Sequence, residues 1–293
     1  MNWDDMRVFL AVARAGGLSG AAPVLRMDPA TVGRRIARLE EALGTALFLR
    51  SAQGYALTEA GTRMQARVAQ AEEALAGAGE EARGADETLS GQVRIGAPDG
   101  CANYLLPQVA AEIGRRNPGL EIQILALPRV VNLSKREADM AITVSPPDAG
   151  RLTVQKITDY RLHLAQHRDL PVPGALAELK GRPIVGYIPD MIFDRALDYL
   201  GDLGEDGVAM ASNSVAVQLQ LLRAGAGAGI VHDFALPFAP ELARVLPAEL
   251  SLTRAFYLVR HDSDRRSSRL TRLADALSRG IRAEVARLEA LAT

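Results

Sequence analysis

Residues 18–43 read LSGAAPVLRMDPATVGRRIARLEEAL, and the architecture at the start of the chain turns on this stretch. Two helical patterns flank a break at Arg26-Met27-Asp28. In the first, Leu18–Leu25, the residues Leu18, Ala21, Ala22 and Leu25 share one face. The second runs from Pro29 to Leu43. Asp28 suits its N-cap, because a carboxylate accepts from the open amides of a first turn. Pro29 suits the first helical position, where a missing N–H removes no bond. Val32, Ile36, Leu39 and Leu43 recur at helical spacing, while Ala30, Thr31, Arg34 and Arg38 point the other way and Arg35 lies on the flank. Gly44 then ends the helix as its C′ residue. Two helices, a short turn and an arginine-rich outer face predict a helix-turn-helix whose second helix enters the major groove of DNA. There arginine forks onto guanine edges, and threonine meets a thymine methyl or a phosphate. The stretch alone also fits a helical hairpin with a solvated basic face, and the surrounding sequence has to decide between the two.

On the amino-terminal side, Asp4–Ala15 predicts a helix with Met6, Phe9, Leu10 and Ala13 as its inner stripe. On the other side, Leu47-Phe48-Leu49 and Tyr55-Ala56-Leu57 predict two short strands around the turn Ser51–Gly54, the wing of a winged helix-turn-helix. Arg50 sits at the base of that wing, in reach of a phosphate or the minor groove.

From Phe9 to Gly61 the chain resembles the amino-terminal domain of LysR-type transcriptional regulators. The resemblance rests on Phe9-Leu10, Ala21-Ala22, Thr31-Val32, Arg34-Arg35-Ile36, Leu39-Glu40, Leu43-Gly44, Leu47-Phe48, Arg50, Leu57-Thr58 and Ala60-Gly61, all in one order. It implies that Pro29, Ala30, Thr31, Arg34, Arg35, Arg38 and Arg50 face DNA. Three positions depart from the family pattern. Gly17 replaces a common serine at the cap of the first motif helix, Gly33 replaces a frequent serine in the recognition helix, and Pro23 interrupts the first motif helix.

The 293 residues suffice for about two domains. A net charge of −1, from 34 Lys+Arg and 35 Asp+Glu, excludes a generally basic nucleic-acid binder, so DNA affinity must come from local clustering. The single cysteine, Cys101, excludes an intrachain disulfide framework and fits a reducing compartment. The Met-Asn-Trp-Asp-Asp start lacks a basic region followed by an apolar run, so no signal peptide is expected. No apolar stretch approaches the ~18 residues that span a bilayer. A cytoplasmic protein without membrane contact is expected.

From Thr58, a suitable cap, to about Leu89 the composition favours a long helix. Met64, Val68, Ala71, Leu75, Ala78, Ala82 and Leu89 follow a heptad seam, with Ala85 filling the skipped place. An exposed seam of this kind implies pairing with a second copy, and Gly77, Gly79 and Gly84 suit a hinge at its far end. The expected domains are therefore a winged helix-turn-helix over 1–58, a dimerising linker helix over 59–90, and a third part over 91–293.

The third part alternates strands with helices, which argues for a parallel α/β sheet. Strands are expected at Val93–Ala97, Glu121–Leu127, Asp139–Val144, Ile184–Tyr187, Val208–Ala211 and Gly229–Val231. Helices are expected at Tyr104–Arg116, Arg129–Arg136, Asp190–Leu200, Val215–Ala224 and Arg265–Leu291. Tyr160–Gln166 and Phe256–Arg260 read as longer strands crossing between two sets. Two α/β subdomains joined by two crossovers resemble the periplasmic-binding-protein architecture, which LysR-type regulators carry as their effector domain. The first subdomain is expected over about 91–160 plus 262–293, the second over about 161–261. The clearest matches here are Arg94-Ile95-Gly96, Leu106-Pro107, Asn117-Pro118, residues 137–142 and residues 224–230.

In such sheets a ligand sits beyond the carboxyl ends of the strands, where helix amino termini favour anions. Those strand ends supply Pro98, Asp99, Gly100, Cys101, Asn103, Pro128, Ser145, Asn213, Ser214 and His232 as candidate effector residues. Each could equally be a loop or cap residue. LysR-type proteins often bind carboxylates and place hydroxyl residues near Asp99. Its own carboxylate would repel an anionic effector if it pointed inward, or cap its own helix if it did not. Cys101 lies near the same helix start, where a thiol pKa could be lowered. With no second cysteine it reads as a small pocket or core residue.

The resemblance implies a regulator that binds a promoter as a homodimer or homotetramer over an interrupted dyad and responds to a small metabolite, with RNA polymerase as a further partner. The alternatives are a cytoplasmic small-molecule receptor without promoter-specific binding, or a solute receptor with an unrelated helical appendage. An enzyme is disfavoured. Gly-x-Ser-x-Gly is missing, and His163, His167, His232 and His261 show no metal-ligand spacing. Gly225, Gly227 and Gly229 lack the third glycine of a dinucleotide fingerprint and need only form a turn. No metal and no cofactor are expected.

Overall fold

The computed structural model describes residues 2–51, 54–82, 88–126, 137–147, 150–203, 207–262, 264 and 267–292. Contacts divide the chain into two compact units, Met1–Asp86 and Glu87–Thr293.

The first unit begins with α1 (Trp3–Ala15), α2 (Leu18–Leu25) and α3 (Pro29–Leu43). Local chemistry sets their ends. The Asn2 side chain caps α1, and Gly16 ends it at φ 68°. The Asp28 carboxylate accepts from the Thr31 amide at the start of α3, and Gly44 closes that helix at φ 62°. Arg26 takes φ 52° to stop α2, its amide returning to Ala22 and Pro23 carbonyls. Val8, Phe9, Leu10, Val12, Ala21, Ala22, Val32, Ile36 and Leu39 form one buried cluster with Leu47, Phe48 and Val68. The α1 stripe is thus rotated from the expected one, with Val8 and Val12 inside and Met6 and Ala13 at its edge. The strands β1 (Phe48–Ser51) and β2 (Gly54–Leu57) form the antiparallel wing. Glu40 anchors it, its Oε1 accepting from the Leu47 and Phe48 amides at 2.8 and 3.1 Å.

Thr58 caps α4 (Glu59–Ala82), its hydroxyl accepting from the Gly61 amide. The heptad reading needs correction at both ends. Val68 is buried in the unit's own core with Met64 against it, so the seam's first positions are already covered. Leu89 is not on the helix at all. It packs into the core of the second unit and donates its amide to Asn117 Oδ1 at 2.6 Å. Leu75 is exposed. Gly84 and Ala85 lie outside the described residues, as do the side chains of Ala78 and Ala82, while Gly77 and Gly79 are part of the helix.

The second unit is a two-subdomain, periplasmic-binding-protein-like α/β fold. Its first half holds β3 (Gly91–Ala97), α5 (Asp99–Tyr104), α6 (Leu106–Arg116), β4 (Leu120–Ala126) and β5 (Met140–Thr143). β3 pairs in parallel with both β4 and β5. The expected helix 104–116 is α6, which starts at Leu106, while Tyr104 ends the separate α5 and Leu105 stands between them. The expected helix 129–136 lies outside the described residues.

The sixteen-residue β6 (Leu152–His167) is the crossover. It pairs antiparallel with β11 (Ser251–His261) from Leu152 to His163, then at its far end with β9 (Ala228–His232) and β10 (Leu242–Arg244). The other half adds the parallel pair β7 (Val185–Gly186) and β8 (Met210–Ala211), the short α7 (Leu200–Leu203) and α8 (Val215–Arg223). The helix expected over 190–200 is absent. Short 3-10 turns at Pro189–Met191 and Arg195–Leu197 stand there, the second started by Asp194, whose carboxylate caps the Ala196 amide. The last helix, α9 (Ser268–Leu291), buries Leu270, Leu273, Leu277, Ile281 and Leu288 as its periodicity predicts.

Candidate DNA-binding and effector-binding sites

α3 carries the first candidate surface. Pro29, Ala30, Arg34 and Arg38 are exposed, while Thr31 and Arg35 are half-buried. The first turn is wired in series. Thr31 donates its amide to Asp28 Oδ1 at 2.8 Å and its hydroxyl to Asp28 Oδ2 at 2.6 Å, and Arg34 Nη2 donates to Thr31 Oγ1 at 2.8 Å. These Thr31 bonds hold the Asp28 carboxyl below its ordinary range. Arg34 is thereby tethered at the helix amino end with the rest of its donor fork on the outside.

Arg38 is placed differently. It donates twice to the buried Asp5 carboxylate, at 3.1 and 2.5 Å, and Arg35 stands 3.7 Å from the same group. Two of the arginines singled out for DNA therefore also tie α3 to α1. Gly33 faces α2, since a Cβ there would stand 3.2 Å from Leu18 Cδ1. Its missing side chain lets the two motif helices approach as well as removing a hydroxyl. Arg50 lies in β1 opposite Tyr55, and its side chain is outside what the structure describes.

The second candidate site lies where α5 meets α8 in the second unit. Pro98 caps α5 without a side-chain bond, and Gly100 and Cys101 are buried. Burial pushes the Cys101 thiol up, against the lowering that a helix start suggests. Asp99 neither projects free into the cleft nor caps its own helix. Its Oδ2 accepts from Ser214 Oγ at 3.0 Å and from the Ala216 amide at 3.2 Å, so it caps α8 in the other half. Asn103 Nδ2 donates back to Asp99 Oδ1 at 3.0 Å and to its carbonyl at 2.8 Å.

Ser214 is the N-cap of α8, its hydroxyl accepting from the Val217 amide at 3.4 Å, and its own amide donates to Ser212 Oγ at 3.1 Å. Asn213 is half-buried beside it. Ser145 donates to Asp194 Oδ1 at 2.9 Å, and Pro128 lies outside the described residues. His232 ends β9, buried between Tyr160 and Phe234, and burial lowers its pKa to about 4. Its Nδ1 and the Tyr160 hydroxyl are buried with no hydrogen-bond partner.

Sequence reasoning did not single out Tyr160 or Asp194 for this site, and reached Tyr187 only as the end of the expected strand Ile184–Tyr187. Tyr160 underlies the junction, stacked on Phe256 with ring centroids 4.2 Å apart, and burial holds its phenol well above the ordinary range. Tyr187 is raised the same way, first by burial, then by Tyr199 and Asp99. Asp194 is the partner of Ser145. Tyr160 carried a signal as the first residue of a strand expected to cross between the halves, and Tyr187 as the last residue of an expected strand, whereas Asp194 carried none. Among the described residues no cluster of histidine, cysteine and carboxylate side chains could hold a metal ion.

Comparison with known proteins adds an independent line. Residues 3–62 match the family model described as "Bacterial regulatory helix-turn-helix protein, lysR family", and residues 86–282 match "LysR substrate binding domain". The chain is 26% identical over 242 residues to the HTH-type transcriptional regulator CrgA of Neisseria meningitidis serogroup C (strain 8013), covering 80% of each. In fold it is similar to a full-length OxyR variant from Pseudomonas aeruginosa, with a TM-score of 0.71 at 19% identity, covering 96% of this chain and 98% of that one. It is also similar to an OxyR mutant of Corynebacterium glutamicum, with a TM-score of 0.66 at 22% identity, covering 99% and 95%.

Proposed function

The chain belongs to the LysR family of transcriptional regulators, DNA-binding proteins with an effector-binding domain, and on that premise we propose how its residues divide the work. α3 reads the major groove, with Arg34 as the principal base or phosphate contact and Pro29, Ala30 and Thr31 presenting the first turn. Arg35 and Arg38 contribute charge from the flank while holding α3 on α1. Arg50 reaches the backbone from the wing. Two copies, paired through α4, set the spacing of two half-sites, and such dimers can pair again into tetramers. The protein acts in the cytoplasm, where a promoter and RNA polymerase are available.

A small metabolite binds where α5 and α8 converge, near Ser145, Asn213, Ser214 and His232. Relative movement of the two halves then changes how the subunits sit on DNA. The observation that carries this reading is the tethering of an exposed arginine, Arg34, at the capped amino end of α3. The test is binding of the full chain to the DNA upstream of its own gene, measured over a salt series, with and without candidate metabolites. Specific, salt-steep binding to that fragment supports the reading. Affinity no greater than for random DNA at every salt concentration overturns it.

A further inference from the structure

The Asp99 carboxylate spans the junction between the two halves of the effector domain, reaching from α5 to the amino end of α8. α8 offers its amino-terminal donors toward α5, and the ligand they meet is part of the chain. Ser214 Oγ and the Ala216 amide both donate to Asp99 Oδ2 at 3.0 and 3.2 Å. The neighbouring amides are committed as well. That of Ser214 goes to Ser212 Oγ and that of Val217 to Ser214 Oγ. Asn103 fixes the other carboxylate oxygen at 3.0 Å. The packing around it is close. A Cβ on Gly100, the next residue, would stand 3.4 Å from His232 Cε1 and 3.6 Å from Val215 Cγ1. His232, only 5% exposed, brings to this junction an imidazole whose Nδ1 has no partner.

We propose that Asp99 is a specificity-determining residue, an internal carboxylate that fills the anion position at the start of α8 and thereby excludes carboxylate effectors from it. The proposal rests on the reading of this junction as the effector site and narrows the class of ligand. A carboxylate has about four acceptor sites, and Asn103, Ser214 and Ala216 take three. What remains suits a ligand that donates a hydrogen bond, such as an amine or a hydroxyl. A second carboxylate at this distance would meet like-charge repulsion. The same contacts latch α5 to α8.

Chemical rescue tests this without knowledge of the effector. Thermal unfolding of the full chain is followed for wild type and Asp99→Ala in sodium acetate or formate, against sodium chloride at equal ionic strength. Asp99→Ala should melt about 2–5 °C lower, and acetate or formate, not chloride, should restore at least half of that loss with saturation in the millimolar range. Wild type should show no carboxylate effect beyond that of chloride. The double variant Asp99→Ala/Ser214→Ala should need at least several-fold more acetate. If Asp99→Ala fails to fold, Asp99→Ser with formate replaces it. A saturable acetate response in wild type equal to the variant's, or no rescue in the variants, overturns the proposal. Promoter binding and metabolite response are separate measurements, so a failure here leaves the regulator reading standing, and a failure of that reading shows in those measurements instead.

Discussion

Arg38 on α3 and Asp5 on α1 form a two-bond contact, at 3.1 and 2.5 Å, that fastens the helix proposed to read DNA onto the core of its own unit. The two partners are unequal. The Asp5 side chain is 4% exposed and that of Arg38 is 58% exposed. Removing Arg38 leaves a buried carboxylate with Arg35 at 3.7 Å, whereas removing Asp5 leaves arginines that water can solvate. Arg38→Ala should therefore destabilise the first unit by about 2 kcal/mol, a figure already reduced for the solvent screening of an exposed arginine. Asp5→Ala should lose about 1 kcal/mol less. The double variant should be more stable than Arg38→Ala alone. Urea unfolding of the four proteins, read as a double-mutant cycle, checks the order.

Arg34 is the cleaner probe of DNA recognition for the same reason. Its recorded bond is to the Thr31 hydroxyl, and the Asp28–Thr31 cap survives its removal. Arg34→Ala should weaken promoter binding by about 10- to 100-fold, the value of a good base contact, with the unfolding midpoint unchanged. If the contact is to phosphate, the salt slope should instead fall by about one unit. Fluorescence anisotropy on a promoter fragment at several salt concentrations separates these outcomes. Undiminished affinity would exclude groove entry by this helix.

The buried His232 makes stability depend on pH in a defined window. In the unfolded chain an imidazole titrates near 6.5. Folded, burial holds His232 at about 4. Between those values the unfolded chain binds the extra proton, so stability rises with pH. The contribution is fully present above about pH 6.5. It is lost as pH falls toward 4, to a maximum of about 3 kcal/mol. His232→Asn lowers stability at neutral pH but removes this proton uptake. Its stability should fall less steeply than that of wild type between pH 6.5 and pH 4, as measured by denaturant midpoints across the range.

How far the sequence could be read follows from how far away each residue's partner lies. The limits of α3 were legible to the residue because Asp28, Pro29 and Gly44 act within one turn. The crossover strands were legible in kind but short in length, because β6 changes partners along its course rather than ending. Leu89 was misplaced because its heptad spacing is real, while its partner, Asn117, is 28 residues on. The segment 190–200 looked helical by composition, yet Asp194 caps a single turn there and accepts from Ser145, 49 residues earlier. Asp99 was conspicuous as a carboxylate in the wrong place. Asn103 lies one helical turn on, but the partners in α8, 115 and 117 residues away, could not be found by spacing.

The glycines at 225, 227 and 229 looked alike in sequence, as parts of one turn, and their surroundings rank them. Gly225 has φ 78° with open space where a Cβ would go, so Gly225→Ala meets only backbone strain of about 1 kcal/mol. Gly229 has an ordinary φ, but a Cβ would lie 2.5 Å from the Val185 carbonyl oxygen, where β9 passes β7. Neither backbone can yield without disturbing strand pairing, so Gly229→Ala should lose about 2–3 kcal/mol. Gly227 combines both faults, with φ 148° and a Cβ position 2.1 Å from the Pro183 carbonyl oxygen. The Ala228 amide donates to that same oxygen at 3.0 Å, so relieving the clash breaks the bond that starts β9. Gly227→Ala should be the most damaging, at more than about 3 kcal/mol. Thermal melts of the three variants should fall in the order 225, 229, 227 from most to least stable. A Gly225→Ala protein less stable than the other two would mean that backbone strain, rather than close approach of the strands, decides stability at this turn.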